Sequence, residues 1–396
     1  MHLWFQGPCK PDFQLIENDF SKFILAQIRT FGDFPEKTYH FLFQITAYKS
    51  YHGVEHENST VCMIGPSYQV FKESYEDFLG LSSHEFYHSW NIKKIRPVEM
   101  MPYDFTKENY YHTGYVAEGV TTYMGDMMLY RSGVFSQQQF FTCIQTWLNK
   151  HFHNYGRFNM PVADASFDLW VDGYEPGVPN RKTSIYNEGA LIALLTDILI
   201  IQHSNGKQTL HDAMSYLYDV FAKKKKGYSQ DDYLKVISRF AGDDTRPFFE
   251  KYVWGTTDFE PILKNAFEKM GLVLIQSPSP FLSERKFGFR LQEGSAKVSQ
   301  IAPDSPVAKT GLKCGDTIIA VNNMSINANL NQWLDYFADE PLSILTQLAD
   351  NRIRSFHLQS IDREFFPLYS VKAASQPTPE QLMYFESWTK NPLILP

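Results

Sequence analysis

Cysteine is scarce in this 396-residue chain: Cys9, Cys62, Cys143 and Cys314 are widely scattered, with no two at metal-ligand or redox spacing. That excludes a disulfide framework as the basis of the fold and fits reduced thiols. Positive charge is also in short supply. With 37 Lys and Arg against 44 Asp and Glu, the formal net charge of −7 argues against nucleic acid as the main partner. Long apolar runs are missing as well. The longest, Gly189 to Ile201, is broken by Thr196 and Asp197 and is too short to span a bilayer, so it reads as a buried helix and no membrane span is expected. Met1 to Pro8 has no charged leader followed by a long apolar core and does not read as a signal peptide, which leaves the compartment open. Internal repeats and long low-complexity tracts are absent too.

What remains is a globular composition, 43% hydrophobic and 20% charged, on a chain long enough for more than one domain. Phe and Tyr are abundant, at 32 and 23 residues, which suits aromatic cores and aromatic-lined clefts alike. Apolar spacing predicts a helix from Phe13 to Ile28, and Tyr39 to Thr46 reads as a strand. From about residue 70 to 270 the pattern is mainly helical. Ser136-Gln137-Gln138-Gln139 has the capping-box form, and Ser229 precedes Asp231 and Asp232, acids that the helix dipole favours in a first turn. Ser184 to Gln202, apolar nearly all round, reads as a central helix. Gln276-Ser277-Pro278-Ser279-Pro280 breaks the helical texture and is the linker candidate. Short β-like runs follow at Phe287 to Leu291, Ala296 to Ile301 and Thr317 to Val321, and Thr378-Pro379 opens a closing helix. Lys223 to Lys226 reads as a solvated helix end, not a nucleic-acid patch.

One motif carries chemistry. In His84-Glu85-Phe86-Tyr87-His88 two histidines four apart share one helical face, where both imidazoles can reach one ion. Glu85, one residue on, stands beside such an ion, placed to take a proton from water and pass it to a leaving amine. Thirty residues after His88, Glu118 opens another predicted helix and can supply a third ligand, leaving the fourth position for water. His112 is the rival third ligand, and an acid in a first turn is otherwise explained by the helix dipole. Asp126 lies two turns past Glu118 and is a candidate partner for a ligand histidine, or else a helix-to-helix contact. Trp90 reads as core.

The run His84-Glu85-Phe86-Tyr87-His88-Ser89-Trp90-Asn91-Ile92-Lys93-Lys94-Ile95-Arg96-Pro97, with Glu118-Gly119, Thr121, Tyr123 and Asp126, resembles the glycyl aminopeptidase family of gluzincin peptidases. These are relatives of aminopeptidase N that carry a C-terminal PDZ domain. The resemblance implies one zinc ion per chain on His84, His88 and Glu118, with Glu85 as general base. Gly53-Val54-Glu55-His56-Glu57-Asn58-Ser59 is similar to the family's substrate strand, which implies that Glu55 holds the substrate's free amine beside Gly53. His52 departs from the family there, replacing a second glycine. Ser184-Ile185-Tyr186-Asn187-Glu188-Gly189 resembles the segment whose tyrosine stabilises the oxyanion, which makes Tyr186 that donor; Glu188 stands where the family often has lysine.

Ala302 to Asn322 looks like part of a PDZ domain, with Phe287-Gly288-Phe289 as a loop whose N–H groups could capture a peptide C-terminus; a packing or spacer role is the alternative. The resemblance implies an α+β chain: a mainly helical, thermolysin-like gluzincin catalytic domain over residues 1–275 with a small β-containing front, a PDZ-like β domain over 276–365, and a tail over 366–396 with a short helix. The family's N-terminal β domain is expected to be missing or truncated. The implied activity is zinc-dependent release of small N-terminal residues such as glycine from peptides with a free N-terminus. A zinc endopeptidase and a non-catalytic PDZ scaffold are the alternatives.

Overall fold

The computed structural model describes residues 1–172, 177–338 and 340–395. Strands β1 (His2–Gln6), β2 (His40–Ile45), β3 (Ser50–Glu55) and β4 (Ser59–Gly65) form one sheet in the order β1-β2-β4-β3. Strands β1, β2 and β4 run parallel, and β3 lies antiparallel on β4 at the edge. Period-two alternation turns Phe41, Phe43 and Ile45 of β2 to the core and leaves Leu42 and Gln44 outside. Between β1 and β2 runs α1 (Phe13–Phe31), capped by the Asp12 carboxylate and stopped at Gly32, whose φ of 81° is left-handed. Its Phe20 packs edge-on against Phe41 at 5.2 Å.

The short α2 (Ser67–Val70) leads to α3 (Tyr75–Tyr87), which lies against the inner face of β3 and β4. Beyond it come α4 (Thr121–Arg131), α5 (Gln137–Phe152), α6 (Val162–Phe167), α7 (Leu169–Asp172), α8 (Asn187–His203), α9 (Leu210–Val220), α10 (Gln230–Ala241), α11 (Thr245–Tyr252) and α12 (Glu260–Lys269). The expected capping box at Ser136 is present, and Ser229, expected only to precede a first turn of acids, forms a second one with Asp232. Helix α8 is buried from Glu188 through Ile198, as its all-round apolar sequence requires, and α4, α5, α9 and α10 pack around it.

The chain then makes a detour. Strand β5 (Leu272–Ser277) pairs antiparallel with β12 (Leu368–Ala373), so everything between leaves and rejoins one two-stranded ribbon. Gln276 and Ser277, expected in the linker, belong to β5; the break falls at Pro278-Ser279-Pro280, where Ser279 is buried and bonded to Glu284 at 2.8 Å. The detour holds α13 (Leu282–Arg285), β6 (Phe289–Leu291), β7 (Val298–Ile301), β8 (Thr317–Val321), β9 (Met324–Ser325), α14 (Leu330–Tyr336), β10 (Leu342–Gln347) and β11 (Ile353–Leu358). Its buried residues, among them Phe289, Ile318, Val321, Leu334 and Ile344, form a second hydrophobic core.

After β12, α15 (Pro379–Thr389) returns to the first core. Trp388 donates its indole N–H to Tyr123 Oη at 2.6 Å, Tyr123 donates to Asp197 at 2.5 Å, and Asp197 accepts the Leu210 N–H at 2.7 Å. This buried chain ties α15 to α4, α8 and α9, and every member is satisfied. Trp388→Ala removes a fully buried indole and orphans its acceptor, so it is expected to destabilise the protein by about 3–5 kcal/mol, read as a lower urea midpoint.

Candidate metal centre

Helix α3 carries His84 and Glu85 in its last turn, and His88 caps it. The Nε2 atoms of His84 and His88 are 3.0 Å apart. Glu118 Oε2 completes a triangle, 3.4 Å from the first and 3.5 Å from the second. Ligands at 2.0–2.1 Å around a tetrahedral ion stand roughly 3.3–3.4 Å from one another. The three atoms therefore have the separations of one face of such a tetrahedron, and the donor set of two imidazoles and a carboxylate suits zinc. Burial alone raises Glu118, yet the facing imidazoles of His88 and His84 hold it well below the usual carboxylate range. Burial lowers His88, but the charge and hydrogen bond of Glu118 more than offset it and push His88 up to about 10. Both shifts reflect the mutual attraction of the carboxylate and the imidazoles.

Glu118 lies in a wide π-helical turn, Tyr115–Val120, that runs into α4, where the sequence suggested the start of an ordinary helix. Ser166 Oγ accepts the Tyr115 N–H at 3.0 Å and anchors the turn's beginning. Its crossing with α8 is so close that a Cβ on Gly119 would sit 2.3 Å from Gly189 Cα, so both positions need glycine. The crossing sets Glu118 beside the start of α8, where Tyr186 lays its ring near-parallel to that of His84, 6.4 Å between centroids.

Asn91 joins the two halves of the triangle. Its carbonyl accepts the Nδ1–H of His88 at 2.8 Å, an assignment that leaves the Nε2 lone pair aimed at the centre. Its side-chain amide donates to the carbonyls of Val116 and Ala117 and to Thr121 Oγ1. The next residue, Ile92, has φ 111°, a strained backbone for a β-branched side chain, and the turn it makes holds Asn91 in place. Asn91→Ala keeps the carbonyl that holds His88 but loses the three side-chain bonds to Val116, Ala117 and Thr121, which flank Glu118. If the triangle holds zinc as proposed below, zinc binding is expected to weaken by about 10- to 100-fold in a chelator competition, with the helical circular dichroism unchanged.

Glu85 is 4% exposed, and Thr60 Oγ1 donates to its Oε2 at 3.1 Å. Burial raises its carboxyl above the ordinary range. Gly53 of β3 lies directly against it: a Cβ there would be 2.0 Å from Glu85 Oε1. A Glu85 carboxylate oxygen also comes within 4.8 Å of both histidines, but Glu118 closes the tighter triangle. Glu55, two residues along β3 from Gly53, meets Lys93 Nζ at 3.4 Å. Glu55, Glu118, Tyr111 and Tyr186 line one cavity of about 1060 Å³.

His112 is not part of this group; it is exposed and stacks on Phe167 at 4.7 Å. Asp126 hydrogen-bonds Cys143, and burial pushes its carboxyl up to about 6. Glu188 is buried beside His151, with 3.1 Å between Oε2 and Nδ1. Trp90 is core, and Lys223 pairs with Asp219 and Asp33. Sequence reasoning missed Asn91, Thr60 and Lys93. Only Asn91 left a local signal, an amide three residues past the second histidine.

Residues 77–192 match the family model of M61 glycyl aminopeptidase, and residues 276–331 match that of the PDZ domain. Among solved structures, an aminopeptidase N family protein from Idiomarina loihiensis aligns with a TM-score of 0.86 at 23% identity, over 98% of this chain and 68% of that one. An M1 zinc metallopeptidase from Deinococcus radiodurans aligns at 13% identity and a TM-score of 0.40, over 64% of this chain and 47% of that one. Native yeast LTA4 hydrolase aligns at 16% identity and a TM-score of 0.42, over 63% of this chain and 35% of that one. Comparison with curated protein sequences gave no match. Among the described residues no helix is long and apolar enough to cross a membrane. The chain thus has the mixed helix-and-sheet fold seen in an aminopeptidase N family protein, with residues 77–192 matching the M61 glycyl aminopeptidase model and residues 276–331 that of the PDZ domain.

Proposed function

We propose that this peptidase is a zinc-dependent aminopeptidase that removes N-terminal residues, small ones such as glycine first, from peptides. The observation that carries the reading is the tetrahedral spacing of His84, His88 and Glu118 with the Glu85 carboxylate seated beside it on Gly53. Zinc bound to that triangle would polarise the scissile carbonyl and make water acidic enough to attack at neutral pH. Glu85, buried and aligned by Thr60, takes the proton from the attacking water and returns it to the leaving nitrogen. Tyr186, whose ring stacks beside that of His84 on the cavity wall, is the candidate donor to the developing oxyanion. Glu55 receives the substrate's α-ammonium. Its present neighbour is already an ammonium group, that of Lys93, which supports a carboxylate suited to this partner. The zinc-loaded protein is expected to hold one zinc per chain and to hydrolyse a glycyl peptide. A strong chelator should stop the reaction and added zinc restore it; hydrolysis that persists in metal-free protein contradicts the reading.

A further inference from the structure

The cavity that holds the candidate centre is bounded on one side by the PDZ domain: Ser299, Gln300 and Ile301 of β7 and Cys314, from the turn before β8, belong to its lining. This wall is fastened to the helical part. Gln300 Nε2 donates to the His153 carbonyl, Arg290 donates to His153 Nδ1 at 2.8 Å, and the Arg290 guanidinium lies over the Phe366 ring at 4.5 Å. Ala302, the residue after β7, packs with Phe365, Phe366 and Tyr155 in a small buried cluster. Such contacts make one body of the wall and the helices beneath it.

The loop expected to capture a peptide end is engaged elsewhere. The Phe287 N–H donates to the Leu282 carbonyl at 3.4 Å and the Gly288 N–H to the Glu284 carbonyl at 3.0 Å. A Cβ on Gly288 would lie 2.4 Å from the Ser305 side chain and 3.2 Å from the Phe365 ring, so the chain's own residues cover that glycine. Two amides out of three are committed to α13, while β7, whose Ile301 pairs with Phe289, lines the catalytic cavity.

We infer that the PDZ domain is the far wall of the peptide cleft, and that β7 and Cys314 limit how much peptide can extend beyond the scissile bond. The enzyme accordingly prefers short peptides to long ones. This inference rests on the aminopeptidase reading for the direction in which substrate lies: the amine end at Glu55, the leaving portion toward β7. A substrate with nothing past its first residue does not reach the wall, whereas an oligopeptide does.

The test uses the full-length, zinc-loaded protein, a glycyl p-nitroanilide and a six-residue glycyl peptide. After Cys314 is modified with a bulky maleimide, kcat/KM for the hexapeptide is expected to fall about tenfold or more, with a change under about twofold for the anilide. In Cys314→Ser protein the reagent should leave both rates where it found them. Cys314→Trp, which fills the same wall without a reagent, should show the same split. A binding readout accompanies the kinetics: in Glu85→Gln protein, the hexapeptide should slow maleimide labelling of Cys314 by about fivefold or more. Equal loss on both substrates, no loss on either, or labelling unaffected by peptide overturns the inference. Cleavage of neither substrate by the unmodified protein, with Cys314 still shielded by peptide, removes the aminopeptidase reading and keeps the wall.

Discussion

Glu85→Gln is expected to slow peptide hydrolysis by about 10²–10⁴-fold while the protein keeps its zinc. Glu85 stands outside the triangle closed by His84, His88 and Glu118, so its loss takes no side from the metal face. Gln keeps a carbonyl oxygen for the Thr60 hydroxyl, now 3.1 Å from Glu85 Oε2, and the same volume against Gly53. What disappears is basicity: an amide cannot take the proton from water or hand it to the leaving nitrogen. Metal analysis and peptide kinetics on one preparation decide the matter. Loss of zinc together with activity would mean that Glu85 is a ligand; its carboxylate lies within 4.8 Å of both histidines, which makes that outcome a real alternative.

The second large effect comes from a residue with no side chain. Gly53→Ala would place a Cβ 2.0 Å from Glu85 Oε1, 2.4 Å from its Cδ and 2.8 Å from its Cγ. Neither neighbour yields cheaply, because Glu85 is buried and bonded to Thr60, and β3 is hydrogen-bonded to β4 along its length. Either the carboxylate swings off its line or the edge strand moves outward with Glu55 on it. Displacing a catalytic group by about 1 Å costs on the order of 10²-fold in rate, which is the loss expected here with circular dichroism and zinc content retained. Gly80→Ala is the control. A Cβ there meets Asp126 Oδ1 at 3.6 Å, an ordinary contact, and a helical glycine replaced by alanine should gain roughly 0.5–1 kcal/mol with activity kept. If Gly53→Ala keeps full activity, the carboxylate position is not what sets the rate.

Residues close in sequence and repeating at a helical or strand period were legible in advance. The pair His84 and His88 follows from one helical turn, and the capping box at Ser136 and the cap at Thr378 from side chains that bond their own helix starts. Apolar alternation gave β2, and an apolar surface all round gave α8. Other features depend on partners far away in the chain. The π turn holding Glu118 differs from an α-helix only in hydrogen-bond register, which apolar spacing does not record. The crossing of Gly119 and Gly189 shows in sequence as two unremarked glycines, and only the fold reveals that their backbones touch. Lys93 reaches Glu55 across the cleft, and β12 returns to β5 after the whole PDZ domain has intervened. The Phe287-Gly288-Phe289 loop has the residues for capturing a peptide end, yet α13 takes two of its amides, a competition that only three-dimensional hydrogen-bond partners reveal.

The most direct test of the account compares a glycyl peptide with its N-acetylated twin, using zinc-loaded protein and its Glu55→Gln variant. The amine-anchored site described here should cleave the free peptide, leave the acetylated one intact, and lose most of its activity on the free peptide when Glu55 is neutralised. Equal cleavage of both peptides, insensitive to Glu55, would contradict the account and identify an endopeptidase on the same metal centre.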